Sequence, residues 1–196
     1  MAGPLRRAQD QGVEAAGPAL GLIEVRSIAR GLVVADAMVK RAAVHLALVR
    51  PVSPGKHLCL CTGGVAEVEE AMSAGRAAAE GVLCDEMLLH DAHQDLLRAL
   101  AARASPPLGG ALGVVETLSA AAALLSADRA LKAAEVGLQE LRLCDGLGGK
   151  AFYVLRGELD MVEAALAAAE RAIVPGLFLC RELIAQPHED VLRALG

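Results

Sequence analysis

Apolar and polar positions alternate between two periods along this chain, and the switches mark its elements. Ala19 to Val25 is a mostly apolar run of strand length, and Ser27 then stands where a helix cap belongs. After that serine, Leu32, Ala35, Val39 and Ala42 recur at helical spacing, which predicts a helix that turns these four toward the core. Val44 to Val49 and Lys56 to Thr62 alternate in strand fashion around a Pro-Gly turn, and Gly63 ends the second run. A further helix carries Glu67 and Glu69 near its amino end, where the helix dipole favours negative charge. A strand over Val82 to Leu89 and a short helix close the unit.

The same order then returns. Residues 19–50 realign onto residues 111–142 at a constant offset of 92, so that Ala19, Leu20, Gly21, Glu24, Ser27, Asp36, Lys40 and Arg50 recur as Ala111, Leu112, Gly113, Glu116, Ser119, Asp128, Lys132 and Arg142. Ser119 opens the matching helix, with Leu124, Leu131 and Ala134 on it. Val136 to Leu143 and Ala151 to Arg156 match the strand pair, Gly157 and Glu158 match the break that follows, and Leu177 to Ile184 matches the last strand. Near the ends, Cys84 and Glu86 align with Cys180 and Glu182 at offset 96, whereas His93, Leu97 and Arg98 align with His188, Leu192 and Arg193 at offset 95. The chain is therefore expected to hold a tail over 1–18, a first domain over 19–103, a linker over 104–110 (ASPPLGG) and a second domain over 111–196. The fold class expected is α/β: two tandem domains, each a mainly antiparallel four-stranded sheet with flanking helices.

Composition narrows the function classes. Of the 196 residues 55% are hydrophobic, yet Phe152, Tyr153 and Phe178 are the only aromatics, so the apolar volume is Ala, Leu, Val and Gly. Small side chains suit close, flat packing between domains better than an aromatic-lined ligand pocket. A net charge of −5 without basic runs or stacking aromatics argues against nucleic acid as a partner. Residues 1–18 lack the apolar core of a signal peptide and no later run reaches spanning length, so a soluble cytoplasmic protein without a membrane partner is expected. Cys59, Cys61, Cys84, Cys144 and Cys180 are odd in number and fit no secreted disulfide framework.

Several motifs suggest chemistry. Cys59 and Cys61 would share one side of a strand, but a lone CxC is a weak metal signal and buried packing accounts for it. Gly-Leu-Gly-Gly-Lys at 146–150 resembles a phosphate loop only superficially: Ala151 stands where Ser or Thr is needed, and a strand follows where a helix should start. Glu86, His90 and His93 sketch a metal site on a helix face, against which stands the plainer reading of locally bonded side chains. No nucleophile, base and orienting residue recur at a working spacing, so no catalytic residue is assigned and the protein is not expected to be an enzyme.

Ala-Leu-Gly-Leu-Ile-Glu (19–24), Ala-Asp-Ala-Met-Val-Lys (35–40), Pro-Gly-Lys (54–56) and Gly-Gly-x-x-x-Val-Glu (63–69), with their second-copy forms at 111–116, 127–132, 148–150 and 157–163, resemble a tandem-domain bacterial microcompartment shell protein with unpermuted domain order. The resemblance implies two microcompartment domains and a homotrimer that imitates a hexameric tile around a central pore. It further implies contact with hexameric and pentameric shell proteins, in the shell of a microcompartment in the bacterial cytoplasm. Carried across, Ser53, Pro54, Gly55, Leu147, Gly148 and Gly149 would line a pore for small polar metabolites, and Lys40 and Lys132 would contact neighbouring tiles. Some tandem relatives hold an iron–sulfur cluster on a cysteine at the position of Ser53; a hydroxyl is a poor substitute for that thiolate, so no cofactor and no metal are expected. Gln186 and Asp91 replace the arginine of the Pro-Arg-Pro-His segment found near the domain end in relatives. Alternatives at this point are a redox or metal-binding shell protein using cysteines near the pore, and a small-molecule-binding regulatory α/β protein.

Overall fold

The computed structural model describes residues 17–101 and 109–195. Most of the expected tail and residues 104–108 of the expected linker lie outside the described residues. The first domain runs β1 (Ala19–Val25), α1 (Ile28–Arg41), β2 (His45–Val52), β3 (Lys56–Gly63), α2 (Val65–Ala78), β4 (Leu83–Leu89) and α3 (Gln94–Leu100). The second repeats it as β5 (Ala111–Thr117), α4 (Ala120–Ala133), β6 (Val136–Leu143), β7 (Ala151–Gly157), α5 (Leu159–Ala172), β8 (Phe178–Ile184) and α6 (Glu189–Ala194). Each domain forms one antiparallel sheet, in the orders β2-β3-β1-β4 and β6-β7-β5-β8.

Local sequence explains where the helices start. The Ser27 hydroxyl accepts the Arg30 amide at 3.2 Å, and Ser119 accepts that of Ala122 at 3.0 Å. His93 and His188 cap the short helices in the same way, each Nδ1 accepting the amide two residues on at 3.2 Å. Capping of this kind satisfies a donor that helix geometry leaves unmatched. Even the irregularities of the sheet are duplicated: pairing shifts at Glu24/Val25 and at Glu116/Thr117, and again at Leu46/Leu48 and Leu138/Glu140.

One face of the first sheet packs Ile23, Cys59 and Cys61 under Val34 and Met38 of α1 and Met72 of α2. Glycines permit this closeness, since a Cβ at Gly75 would lie 2.5 Å from Ile23 Cδ1 and one at Gly31 would overlap the His57 ring. The opposite face carries Leu20, Leu22, Leu58 and Leu60 into a core shared with the second domain, where α4 packs against β4 and β1. The seam between the domains is thus a true core and not a loose contact.

Two sequence expectations need correction. The stripe of α1 that faces the core is Gly31, Val34, Ala35 and Met38, whereas Leu32 and Val39 point outward, Leu32 with 58% of its surface exposed. Both stripes are apolar, so helical periodicity alone selects neither. The offset of 96 for the last strand is also wrong, because β1 pairs Ile23 with Glu86 and Glu24 with Asp85, while β5 pairs Val115 with Arg181 and Glu116 with Cys180. Asp85 therefore corresponds to Cys180 and Glu86 to Arg181, at the same offset of 95 that the terminal helices show.

Candidate functional site

The two strand turns that the resemblance singles out lie side by side. Gly55 closes the first by donating its amide to the Val52 carbonyl at 3.0 Å, with a φ of +92° that favours glycine. Gly146, Gly148 and Gly149 shape the longer second turn with φ values of +69°, +62° and +92°, and the Lys150 amide reaches the Leu147 carbonyl at 3.2 Å. A Cβ at Gly149 would sit 3.0 Å from Pro54 Cδ and 3.7 Å from Lys56 Nζ, so the turns touch there. Arg50 of β2 forms an ion pair with Asp145 of the second turn. Ser53, Pro54, Gly55, Leu147, Gly148 and Gly149 are in this way brought into one cluster, with Pro54, Gly55 and Gly148 exposed.

Behind the turns sits a charged clasp. Glu24 is fully buried; one carboxylate oxygen accepts from Lys56 Nζ at 2.6 Å and the other accepts the Ala120 amide at the start of α4 at 2.9 Å. Lys56 also donates to the Leu118 carbonyl at 3.2 Å, so one lysine and one carboxylate tie the first domain to a helix amino end of the second. Burial works to lower the Lys56 pKa, but the hydrogen bond and charge of Glu24 outweigh it and hold the ammonium above its ordinary value. Asp85 accepts a hydrogen bond from the Ser119 hydroxyl beside this clasp. Elsewhere on the seam the buried Asp128 accepts the His93 amide at 2.8 Å and pairs with Lys132 at 2.7 Å, while Lys132 donates to the Asp91 carbonyl. Of the two lysines assigned to tile edges, Lys132 spans the seam and Lys40 pairs with Asp36 at 2.6 Å on an exposed surface.

The clasp was not assigned from sequence, although its signal was present: a carboxylate ending an apolar strand, with a lysine after the turn, recurs as Glu116 and Lys150. In the second domain this pair is open. Lys150 lies 3.3 Å from Glu116, both side chains are well exposed, and a cavity of about 450 Å³ is lined by Val114, Glu116, Leu147, Lys150, Ala151 and Phe152.

The remaining motifs disperse. Cys59 and Cys61 are core residues whose thiols burial pushes up to about 12 and about 11. Cys144 is buried as well, donates to the Gly149 carbonyl at 3.4 Å, and is pushed up to about 12 by burial and then by the charge of Glu24. Glu86 binds Arg76, His90 pairs with Glu69 at 2.9 Å, and His93 caps α3, so these three side chains do not converge. Lys150 runs directly into β7 and leaves no helix start for a phosphate.

The family model described as the BMC domain matches residues 19–92 and again 111–187. The chain belongs to the BMC-domain family. It carries two BMC domains in tandem and is a microcompartment shell protein. It is 37% identical over 178 residues to the bacterial microcompartment shell protein PduT of Citrobacter freundii, covering 90% of this chain and 97% of that one. The carboxysome shell protein CsoS1 of Prochlorococcus marinus is 38% identical over 96 residues, which is 47% of this chain and 90% of the relative, close to a single copy of the repeat. Among solved structures, a microcompartment protein from Desulfitobacterium hafniense superposes with a TM-score of 0.78 at 39% identity, over 89% of this chain and 98% of the other. A fused permuted hexameric shell protein of the RMM microcompartment shares the fold, with a TM-score of 0.60 at 23% identity over 79% of this chain and 80% of that one.

Proposed function

We propose that three copies of this BMC-domain chain close into a ring of six domains, a hexagonal tile of the microcompartment shell in the bacterial cytoplasm. Its role is then structural and not catalytic. One observation carries the reading: surfaces buried at the seam inside the chain have exposed counterparts at both free ends of the pair. On α4, Ala120, Leu124 and Leu131 are buried against the first domain, whereas their matches on α1, Ile28, Leu32 and Val39, face outward. Conversely, Leu89 and Leu96 of the first domain are buried, and their matches Ile184 and Val191 are exposed. A chain that offers both halves of its own seam has a head-to-tail interface, and head-to-tail interfaces form closed rings when the rotation allows.

Within such a ring the turns Ser53-Pro54-Gly55 and Leu147-Gly148-Gly149 alternate around a central pore of threefold symmetry. Exposed backbone amides and the Ser53 hydroxyl suit small polar metabolites as the permeant class. Lys40 serves the edge, where a long stem covers apolar surface while its head stays hydrated, Lys132 reaches the edge at the seam with its head bonded to Asp128 and the Asp91 carbonyl, and hexameric and pentameric shell proteins are the neighbours. The boundaries 19–103 and 111–196 then describe the two sectors that each chain contributes. Electron microscopy tests the assembly: hexagonal particles or flat sheets with a central opening are expected, and a stable single chain contradicts the reading.

A further inference from the structure

We propose that Glu116 and Lys150 form a socket for the first turn of α1 from another copy of this chain, with Glu116 accepting the Ile28 amide and Lys150 donating to the Arg26 carbonyl. The proposal rests on the ring reading above and adds to it the groups that hold one chain to the next.

The template is inside the chain. Glu24 accepts the Ala120 amide at 2.9 Å while Lys56 bridges Glu24 and the Leu118 carbonyl at 2.6 and 3.2 Å. The offset of 92 carries Glu24 to Glu116, Arg26 to Leu118 and Ile28 to Ala120, and Lys56 corresponds to Lys150 at offset 94. Sheet register supports these matches, since Glu24 pairs with Leu58 and Glu116 with Phe152, again 94 apart. Every group of the clasp thus has a counterpart, but the acceptor and the donor lie at opposite free surfaces of one chain. Only another copy brings them together.

Two further observations point to that occupant. The Glu116 socket is an open cavity of about 450 Å³, whereas the Glu24 position is filled by the amino end of α4. Moreover, among the described residues, α1 and α4 are the two helices of six that carry no acidic residue in their own first turn. For α4 the missing negative charge is supplied by Glu24 of the other domain. The amino end of α1 has the same deficit, and an external carboxylate satisfies both its dipole and an unmatched amide.

The two junctions differ in one respect. Asp85, which accepts from Ser119 at the seam, corresponds to Cys180, so Ser27 of the incoming turn meets a thiol in place of a carboxylate. Cys180 Sγ lies 3.5 Å from Glu116 and belongs to the socket. With one charge-assisted bond fewer, the junction between chains is weaker than the seam within a chain, and rings come apart into intact chains before domains separate.

A double-mutant cycle on the full chain tests the socket by sedimentation velocity. Glu116→Ala removes the acceptor, and Ile28→Pro removes the donor at a first-turn position where proline is well tolerated. Ser27, with φ −136° and ψ 119°, already has the extended backbone that the residue before proline needs. The proline effect is read relative to Ile28→Ala, which isolates loss of the amide from loss of the side chain. Each change is expected to weaken ring formation roughly 10-fold or more, with the pair no worse than the stronger single change. Alkylation of Cys180 is expected to be slow in the assembled wild type and fast in dilute Glu116→Ala. Rings that persist with additive effects, or with none, overturn the socket and leave the ring reading standing. A wild-type chain that never associates overturns the ring reading itself.

Discussion

Glu24→Ala is the sharpest probe of the seam. The carboxylate is fully buried, and its loss strands both Lys56 Nζ and the Ala120 amide. Removing one partner of a buried ion pair costs about 3–5 kcal/mol. The Lys56 side chain remains 20% exposed and keeps its bond to Leu118, so the low end, about 3 kcal/mol, applies. For a chain of this length that is a fall of roughly 6–12 °C in the unfolding midpoint. Glu116→Ala breaks the matching but exposed pair, and in dilute separate chains its cost stays within about 1 kcal/mol. Glu24→Ala with Lys56→Met recovers part of the loss, because no stranded ammonium remains. Since Lys56 is raised above its ordinary value of 10.5, its contribution is complete below that pH and fades as pH rises through the folded value. Wild-type stability therefore loses nothing from this lysine through neutral pH and begins to fall on its account only above about 10.5. Urea and thermal unfolding at matched chain concentration measure all of this, concentration being held fixed because association adds apparent stability. Equal losses for Glu24→Ala and Glu116→Ala in dilute chains, or a loss under about 1 kcal/mol for Glu24→Ala, would refute the buried clasp.

Other outcomes follow from the same packing. Gly31→Ala drives a methyl into the buried His57 ring and is expected to cost about 1–3 kcal/mol by urea unfolding, and neutrality would show that α1 does not press on β3. Burial lowers the His57 pKa below 6.5, so the unfolded chain binds the extra proton; stability is complete above that pH and falls as pH drops below it. His57→Gln should flatten this acid limb between neutral pH and about 5, and an unchanged limb assigns it to other groups. Thiol labelling of the native chain should modify Cys84 readily and leave Cys59, Cys61 and Cys144 untouched until unfolding, because those three are buried with raised pKa values. Fast native labelling of Cys144 would contradict the packed second turn.

Much of the architecture is carried by local signals. The recurring serines at 27 and 119 cap helices as their type and position suggest, and the period-2 runs become strands because alternate residues of each sheet pack under its own helices. What escaped was relational. Leu32 and Val39 look like core residues because they are apolar at helical spacing, yet both are exposed while their matches Leu124 and Leu131 are buried at the seam, and a single chain offers no local mark of that difference. Glu24 and Glu116 both end an Ala-Leu-Gly-x-x-Glu string, but one is buried and clasped while the other lines an open cavity. The last strand misaligned by one residue since two coincident Cys-x-Glu strings outweighed a register that only pairing with the central strand defines. The turn residues at 53–55 and 147–149 were brought together by contacts between domains, which no spacing along the chain encodes.

Ring closure is tested most directly by the native mass of the purified full-length chain across a concentration series. The seam geometry predicts a complex of three chains, three times the 20.1 kDa chain mass, that dissociates to folded single chains on dilution. A species that remains one chain at high concentration, or stops at two, would contradict it.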